Sequence, residues 1–358
     1  MLRYIVKRTI QAIPLIFGIT LLTYMLMTAA PGGPIGAMNF PPRTPPQERA
    51  ALAARLGVND PWPVQYLRWL LGDDWMRWDS DGDGIADQSF LLALDADGDG
   101  EPEPPGIRHG ALRGDFGDSF VSRRPVLQIL TERLPATLEL GISSLMIGVV
   151  VGIVVGIIAA VRRGGLFDNA MRIMAVVFDA IPSFWLGLML ILLFGAQLQL
   201  LPLQGRCKAT ISDSCPPIYE RLSYMILPTF ILATGLVAGY SRFTRASMLD
   251  IINQDYIRTA RAKGLSNRMV WFKHAARNAL IPIATFLGPA ITGILGGAVI
   301  TETIFSWPGV GRSIVLAVTQ RDYPVVMAVT IYAALATIFG YLLSDILYGI
   351  IDPRIRYD

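Results

Sequence analysis

Two runs of alternating aspartates are the densest set of hard oxygen ligands in this chain. Asp79, Asp81, Asp83 and Asp87 form one, and Asp95, Asp97, Asp99 and Glu103 the other, each spacing its acids at positions 1, 3, 5 and 9 with glycines between. Calcium takes about six to eight oxygens, and alternate carboxylates around a glycine turn can wrap one ion. The EF-hand pattern is met only in part: Phe90 and Gly106 stand where a bidentate glutamate belongs, and no helix signal flanks either loop. Its repetition within one loop favours a structural Ca2+ over a merely solvated acidic stretch. Other chemistry is thin. His109 and His274 are the only histidines and have no partner at metal spacing, which argues against catalytic zinc and against a Ser-His-Asp arrangement. Gly309-Val310-Gly311 is followed by Arg312 and Ser313, without the lysine of a phosphate-binding loop. No catalytic residue, no cofactor bound for catalysis and no nucleic-acid partner is therefore expected.

The elements that must position these residues are membrane helices. Of the 358 residues 53% are apolar and 16% charged, a balance rare in a soluble domain of this length. Crossing a hydrocarbon core takes about 20 helical residues. Apolar runs near that length lie at Ile10 to Ala29, Leu138 to Val161, Ile173 to Leu198, Met225 to Tyr240, Ala279 to Val299 and Val325 to Ile351, so the fold class is all-α with about six transmembrane helices. Pro282 and Pro289 predict kinks in the fifth. The first run exceeds a signal-peptide core and reads as a retained anchor over residues 1–30.

Orientation follows from the basic residues. Arg3, Lys7 and Arg8 precede the first run, Arg162, Arg163 and Arg172 surround the second short loop, and more lie in a coupling-loop region at about 242–282, which puts these loops and both termini in the cytoplasm. By alternation residues 31–135 lie outside, and their 16 acidic against 10 basic residues agree with that side. Within them the acidic insert covers about 74–110, and residues 136–358 form the helical core. Cys207 and Cys215, the only cysteines, fall in an outer loop, where a disulfide is expected. Ionisable residues inside spans are functional candidates. Asp179, followed by Pro182 and Ser183 at a turn able to unwind, is the pathway candidate, whereas Asp345 near the inner interface is read as reaching water or pairing with a basic cytoplasmic group.

Asp255 to Pro282 is a basic island between two apolar runs. Tyr256 to Lys263 reads as a helix, Gly264 breaks it in the left-handed conformation, and Ser266 caps a second helix, with Leu265 and Val270 as a hydrophobic staple. Arg258-Thr259-Ala260, three residues and Gly264 resemble the EAA loop of ABC importer permeases, with Arg258 in place of the glutamate. The variant RTARAKG with H-x-x-RNALIP resembles the oligopeptide/dipeptide permease family, which also includes nickel permeases. APGGP at Ala30 to Pro34, QYLRWL at Gln65 to Leu70, GDFGDSFVSRRPV at Gly114 to Val126 and ERLPATLEL at Glu132 to Leu140 agree with that family. So do IPSFWLGL at Ile181 to Leu188, TETIFSWPGVGR at Thr301 to Arg312, RDYPVV at Arg321 to Val326 and DPRIRY at Asp352 to Tyr357.

The resemblance implies the type I ABC importer permease fold in the cell inner membrane. It implies partners as well: a second homologous permease subunit, two ABC ATPase subunits that hydrolyse ATP, an extracytoplasmic substrate-binding protein and membrane lipid. Arg258, Thr259, Ala260, Ala262, Lys263, Gly264 and Leu265 would be the ATPase-coupling surface, and a peptide the transported substrate. Related systems carry nickel, glutathione or oligosaccharides, and the absence of His and Cys from the spans weighs against nickel. The alternative of another class is a secondary transporter or channel driven by an ion gradient, and a third is a calcium-binding scaffold built on the insert.

Overall fold

The computed structural model describes residues 2–29, 45, 57, 60–95, 98, 100–208, 215–280, 283–296 and 298–351. Ala30 to Pro34, Asp97, Asp99, Pro282 and the DPRIRY stretch lie outside the described residues. Five helices among those described are long and apolar enough to span a membrane, and a bent pair makes a sixth crossing if counted as one. These are α1 (Leu2–Thr28), α3 (Val126–Val161), the pair α4 (Leu166–Ala180) and α5 (Ser183–Leu190, winding on as a π-helix through Ile191–Gln197), α6 (Leu222–Ile251), the segment Phe286–Ile304, and α12 (Tyr323–Ile351). Shorter helices are α2 (Trp62–Leu71), α7 (Asp255–Ala262), α8 (Asn267–Met269, continued by the π-wound Val270–Ala275 and by Ala276–Ala279) and α11 (Val310–Thr319). Between α8 and α11, α9 (Ala284–Leu295) and α10 (Val299–Ile304) divide the fifth crossing.

Several crossings depart from the sequence reading: α1 begins at Leu2 and α3 at Val126, ahead of Ile10 and Leu138, the fifth runs over Phe286–Ile304, and two more differ in kind or length. The run from Ile173 to Leu198 is not one straight helix; it bends by 98° between Ala180 and Ser183. The cause is local: a residue before proline is driven out of the helical region, and Ile181 is extended at φ −80°, ψ 122° ahead of Pro182. The fourth crossing is longer than Met225 to Tyr240, because the helix runs on to Ile251 with no breaker in its path.

The chain divides into two compact units. The first, residues 1–11, 133–312 and 335–358, contains most of the spans. Along α3, Gly148, Gly152 and Gly156 recur every fourth residue, and a Cβ at each would come within 2.4–2.7 Å of the Cβ of Leu236, Tyr240 and Thr244 on α6. Lipid offers no hydrophobic drive between helices, so such close backbone approach is how spans gain contact. Ion pairs complete the packing. Arg221 and Arg206 both reach Glu139, with Arg221 Nη1 at 2.8 Å and Arg206 Nε at 2.9 Å. Arg245 Nε lies 2.6 Å from Asp168, which is fully buried. Buried Glu302 accepts from the Thr137 hydroxyl at 2.9 Å and the Arg312 N–H at 2.9 Å, while Trp307 donates to the Ala136 carbonyl at 2.8 Å. Cys207 and Cys215 form the expected disulfide, with Cα atoms 5.7 Å apart.

The second unit, residues 12–132 and 313–334, holds the long polar segment. Helix α2 lies along α1, where Tyr66 shares a hydrogen bond with Thr20 at 2.8 Å and Tyr24 donates to Gln65 at 3.1 Å. Strands β1 (Arg77–Trp78) and β2 (Gln88–Ser89) pair antiparallel, Arg77 opposite Ser89, and Met76 and Ala86 are wholly buried beside them. The insert is thus a folded element with its own small core. Asp322 at the start of α12 accepts from the Ser119 hydroxyl and from the Phe120 N–H at 3.0 Å, tying α12 to the GDFGDS stretch.

Candidate functional site

The basic island folds as a helix pair with two faces. Helix α7 closes with Gly264 at φ +76°, its N–H bonded to the Arg261 carbonyl at 2.9 Å, and open space surrounds its Cα. The Ser266 hydroxyl accepts from the Met269 N–H at 3.4 Å as the cap of α8. These are the devices the local sequence predicts. On the inner face Ile257, Ala260, Val270, Ala275, Ala276 and Ala279 form one buried cluster with Met248 of α6 and Ile157 and Ala160 of α3, against which Leu265 and Trp271 pack in part. On the outer face Arg258, Thr259, Arg261, Ala262, Lys263 and Gly264 are all exposed.

The pair is stiffened across its turn. Asn278 donates to the Tyr256 hydroxyl at 2.9 Å, and the Arg261 guanidinium lies 4.5 Å from the centre of the Trp271 ring. Arg258 sits 3.6 Å from Asp255, both well exposed, so a partner carboxylate can compete for it. Ala260 and, in part, Leu265 are the exceptions among the expected coupling residues; Ala260 is the clearer case. It is 7% exposed and faces the chain's own core, where it packs the helix pair against the spans. The sequence reading named five of the outer residues together with Ala260 and Leu265, and passed over Arg261 on the outer face and the rest of the inner cluster. The signal of that cluster is nevertheless there, in the Ile257/Ala260 and Ala275/Ala276/Ala279 spacing of one helical face.

The pathway candidates lie at the bend after α4. Asp179 pairs with Arg242 of α6 at 2.6 Å, next to the unwound turn at Ile181. Pro182 and Ser183 are exposed at the bend. An apolar cavity of about 300 Å³ lies instead beside α3, α4 and α6, lined by residues such as Met174, Phe178, Phe230 and Val237, and Asp179 is not on its wall. Asp345 lies 3.7 Å from Arg8, as a basic neighbour near the N-terminus requires.

In the acidic insert Asp79, Asp81 and Asp83 each bring a carboxylate oxygen within 4.8 Å of the others. Asp87, the fourth expected ligand, is turned toward Ser80, whose N–H reaches it at 2.9 Å. Both runs share one backbone design. Asp79 accepts from the N–H groups of Gly82 and Gly84 at 2.6 and 2.7 Å, and Asp95 from those of Gly98 and Gly100 at 2.6 and 3.0 Å. The bonds from Gly84 and Gly82 hold the Asp79 carboxyl below the ordinary aspartate range. Glu103 joins the loops through its backbone, donating to Leu94 at 2.7 Å and accepting from Ala86 at 3.3 Å.

The profile described as "Binding-protein-dependent transport system inner membrane component" matches residues 152–357, and its N-terminal companion, a membrane component of the same systems, matches residues 1–77. Both acidic runs, Asp79 to Asp87 and Asp95 to Glu103, fall in the stretch between them. The oligopeptide transport system permease protein AppB of Bacillus subtilis (strain 168) is 38% identical over 358 residues, covering 100% of both chains. The dipeptide transport system permease protein DppB of Escherichia coli (strain K12) is 36% identical over 375 aligned positions, covering 100% of this chain and 99% of that one. Among solved structures, an inward-facing form of the MetNI methionine ABC transporter covers 64% of this chain and 97% of its own at 18% identity, with a TM-score of 0.49.

Proposed function

Because the chain belongs to the family of binding-protein-dependent transport system inner membrane components, as a multi-pass permease subunit and not an enzyme, we propose that it carries peptides and is driven by separate ATPase subunits seated on the α7/α8 pair. The relatives named above transport oligopeptides and dipeptides, which supports the substrate class. Two ATPase subunits, a second similar permease and an external peptide-binding protein would complete the importer, with the island and both termini in the cytoplasm.

One observation carries the coupling role: an exposed basic face at Arg258 to Gly264 stands on an inner face buried against α3 and α6. A partner that grips the outer face moves the inner one, and with it two spans; closure of an ATPase pair thereby tilts the helices that alternate access to the pathway. An ion-gradient transporter has no use for such a handle. A smaller proposal concerns the insert, where Asp79, Asp81 and Asp83 would hold one Ca2+ for structure. The test of coupling is Gly264→Asp in the reconstituted importer. The new side chain meets no neighbour, but it strains the left-handed turn and puts an acid on the basic face. Peptide uptake is expected to fall at least about tenfold with membrane insertion unchanged; uptake at the unaltered rate would refute the role.

A further inference from the structure

The second unit contains a cavity of about 460 Å³ whose wall carries Arg77, Arg108 and Arg123 together with Asp73, Asp115 and Asp118. Asp73 is taken up by Arg68 at 2.8 Å and by the Arg108 N–H at 2.8 Å, and the other charges feel one another without forming a close ion pair. Among the described residues none of the three guanidiniums lies within 4.0 Å of a carboxylate, and the Asp118 carboxylate accepts no hydrogen bond. Asp115 accepts only backbone N–H groups, from His109 and Gly117 at 2.9 Å each. Arg77 is the sharpest case. It is 4% exposed, its Nε has no partner, and its one side-chain bond reaches the Ala93 carbonyl at 3.4 Å.

Close by, the same fold pairs its charges fully. Arg68 reaches Asp60 and Asp73 at 2.8 Å each, and Arg113 Nη1 reaches Asp74 at 2.6 Å. The set without a close ion pair is therefore gathered on the cavity wall: Arg77 is buried there, Arg108 and Asp115 are half-buried, and Asp118 and Arg123 stand at the exposed mouth. For the buried guanidinium the lack of a close counter-charge is unfavourable unless a ligand supplies one. A simple anion would face Asp115 and Asp118, and a simple cation would face three arginines. A molecule with a separated carboxylate and ammonium satisfies both. A second cavity of about 100 Å³ shares Arg108, Asp118 and Phe120 with the first and adds Tyr24, Trp69 and Met327, an aromatic annex suited to an apolar side chain.

We propose that the paired cavities form a recognition site for a small zwitterionic peptide, its carboxylate on Arg77 and Arg108, its ammonium on Asp118 and Asp115, and an apolar side chain in the annex. The volume falls in the range of about 300–1,000 Å³ usual for small-molecule pockets. The inference rests on the reading of the chain as a peptide permease and adds to it a place where this subunit itself inspects the cargo.

Titrating the full chain in lipid nanodiscs with alanyl-phenylalanine, its N-acetyl form and its C-terminal amide tests the site, read by fluorescence of the tryptophans, Trp69 among them. The free dipeptide is expected to give a saturable change, and each blocked form to need at least about tenfold more ligand. Arg108→Gln should erase the preference for the free carboxylate while keeping that for the free amine, and Asp118→Asn should do the reverse. A merely collapsed site loses both preferences, so loss of both together in both variants overturns the proposal. So does the absence of a saturable response, equal binding of the three forms, or variants that bind like the original. Uptake by the reconstituted importer separates the two levels. Peptide uptake with unchanged concentration dependence in both variants sinks the site and leaves the permease reading. Failure of the unaltered importer to take up any peptide sinks that reading, and the fluorescence arm still decides the site.

Discussion

The basic island at Asp255–Ala279 and the acidic insert at Asp79–Glu103 are both charge-rich polar segments broken by glycines, yet they use their charge in opposite ways. In the island the charge points outward, and an alanine-rich inner face is buried against two spans. In the insert the leading aspartate of each run is turned back on its own backbone, satisfying N–H groups that a tight turn leaves without partners. The first arrangement leaves its charges available and makes the segment mechanically continuous with the membrane helices. The second commits its charges to folding a small hairpin. A run of like charge therefore stays exposed where an apolar face anchors it from behind, and becomes a self-contained loop where the backbone takes it up.

The comparison breaks first, and by the largest margin, at the anchor. Ile257 is fully buried, and Ile257→Ala should cost roughly 2–5 kcal/mol locally through the cavity it leaves. The expected outcome is uncoupling: ATPase activity of the assembled importer persists while peptide uptake falls several-fold, measured side by side in proteoliposomes. Uptake per ATP equal to the original would mean the inner face transmits nothing.

A smaller effect is expected from the paired substitution Asp79→Ala and Asp95→Ala. Each removes caps worth about 0.5–2 kcal/mol at comparable N–H sites. Limited proteolysis should then cut between residues 79 and 103 faster, with uptake changed less than about twofold; a large loss of uptake would give the insert a transport role. In the unaltered chain, chelating Ca2+ should hasten the same cleavage if Asp79, Asp81 and Asp83 hold an ion, and no change in the cleavage rate removes calcium from the account.

The smallest effect concerns Asp74. The hydrogen bond from Arg113 holds its carboxyl below the ordinary 3.8. A depressed folded value means that the clip stabilises fully above the unfolded value and is lost as pH falls through the folded one. Hydrogen exchange of residues 71–113 should accordingly be flat from neutral pH to about 5, after allowing for the intrinsic pH dependence of exchange, and speed up below about 4. Arg113→Gln should shift the onset upward.

Most of the fold was legible, because a membrane crossing needs only a long apolar run and the caps around it. Leu265, Gly264 and Ser266 announced the turn between α7 and α8 for the same reason: cap chemistry acts within a few residues. The 98° bend after Ala180 was half visible in Ile181-Pro182, but nothing in composition separates a kink from a full reversal of direction. The partner of Asp179 was not visible, because an acid inside an apolar run looks isolated and Arg242, which pairs with it, stands far along the chain on another helix.

By itself the sequence determined what local chemistry can determine: six apolar crossings, a turn at Gly264 capped by Ser266, two repeated acidic runs, and the motifs that mark a peptide permease. Only the tertiary structure decided that Ala260 faces inward, that Asp179 has a partner, and that Arg77, Arg108 and Asp118 share one wall without pairing. Helix, turn and cap are selected by forces between neighbours in the chain, whereas burial and charge compensation depend on which distant segments the fold brings within a few ångströms.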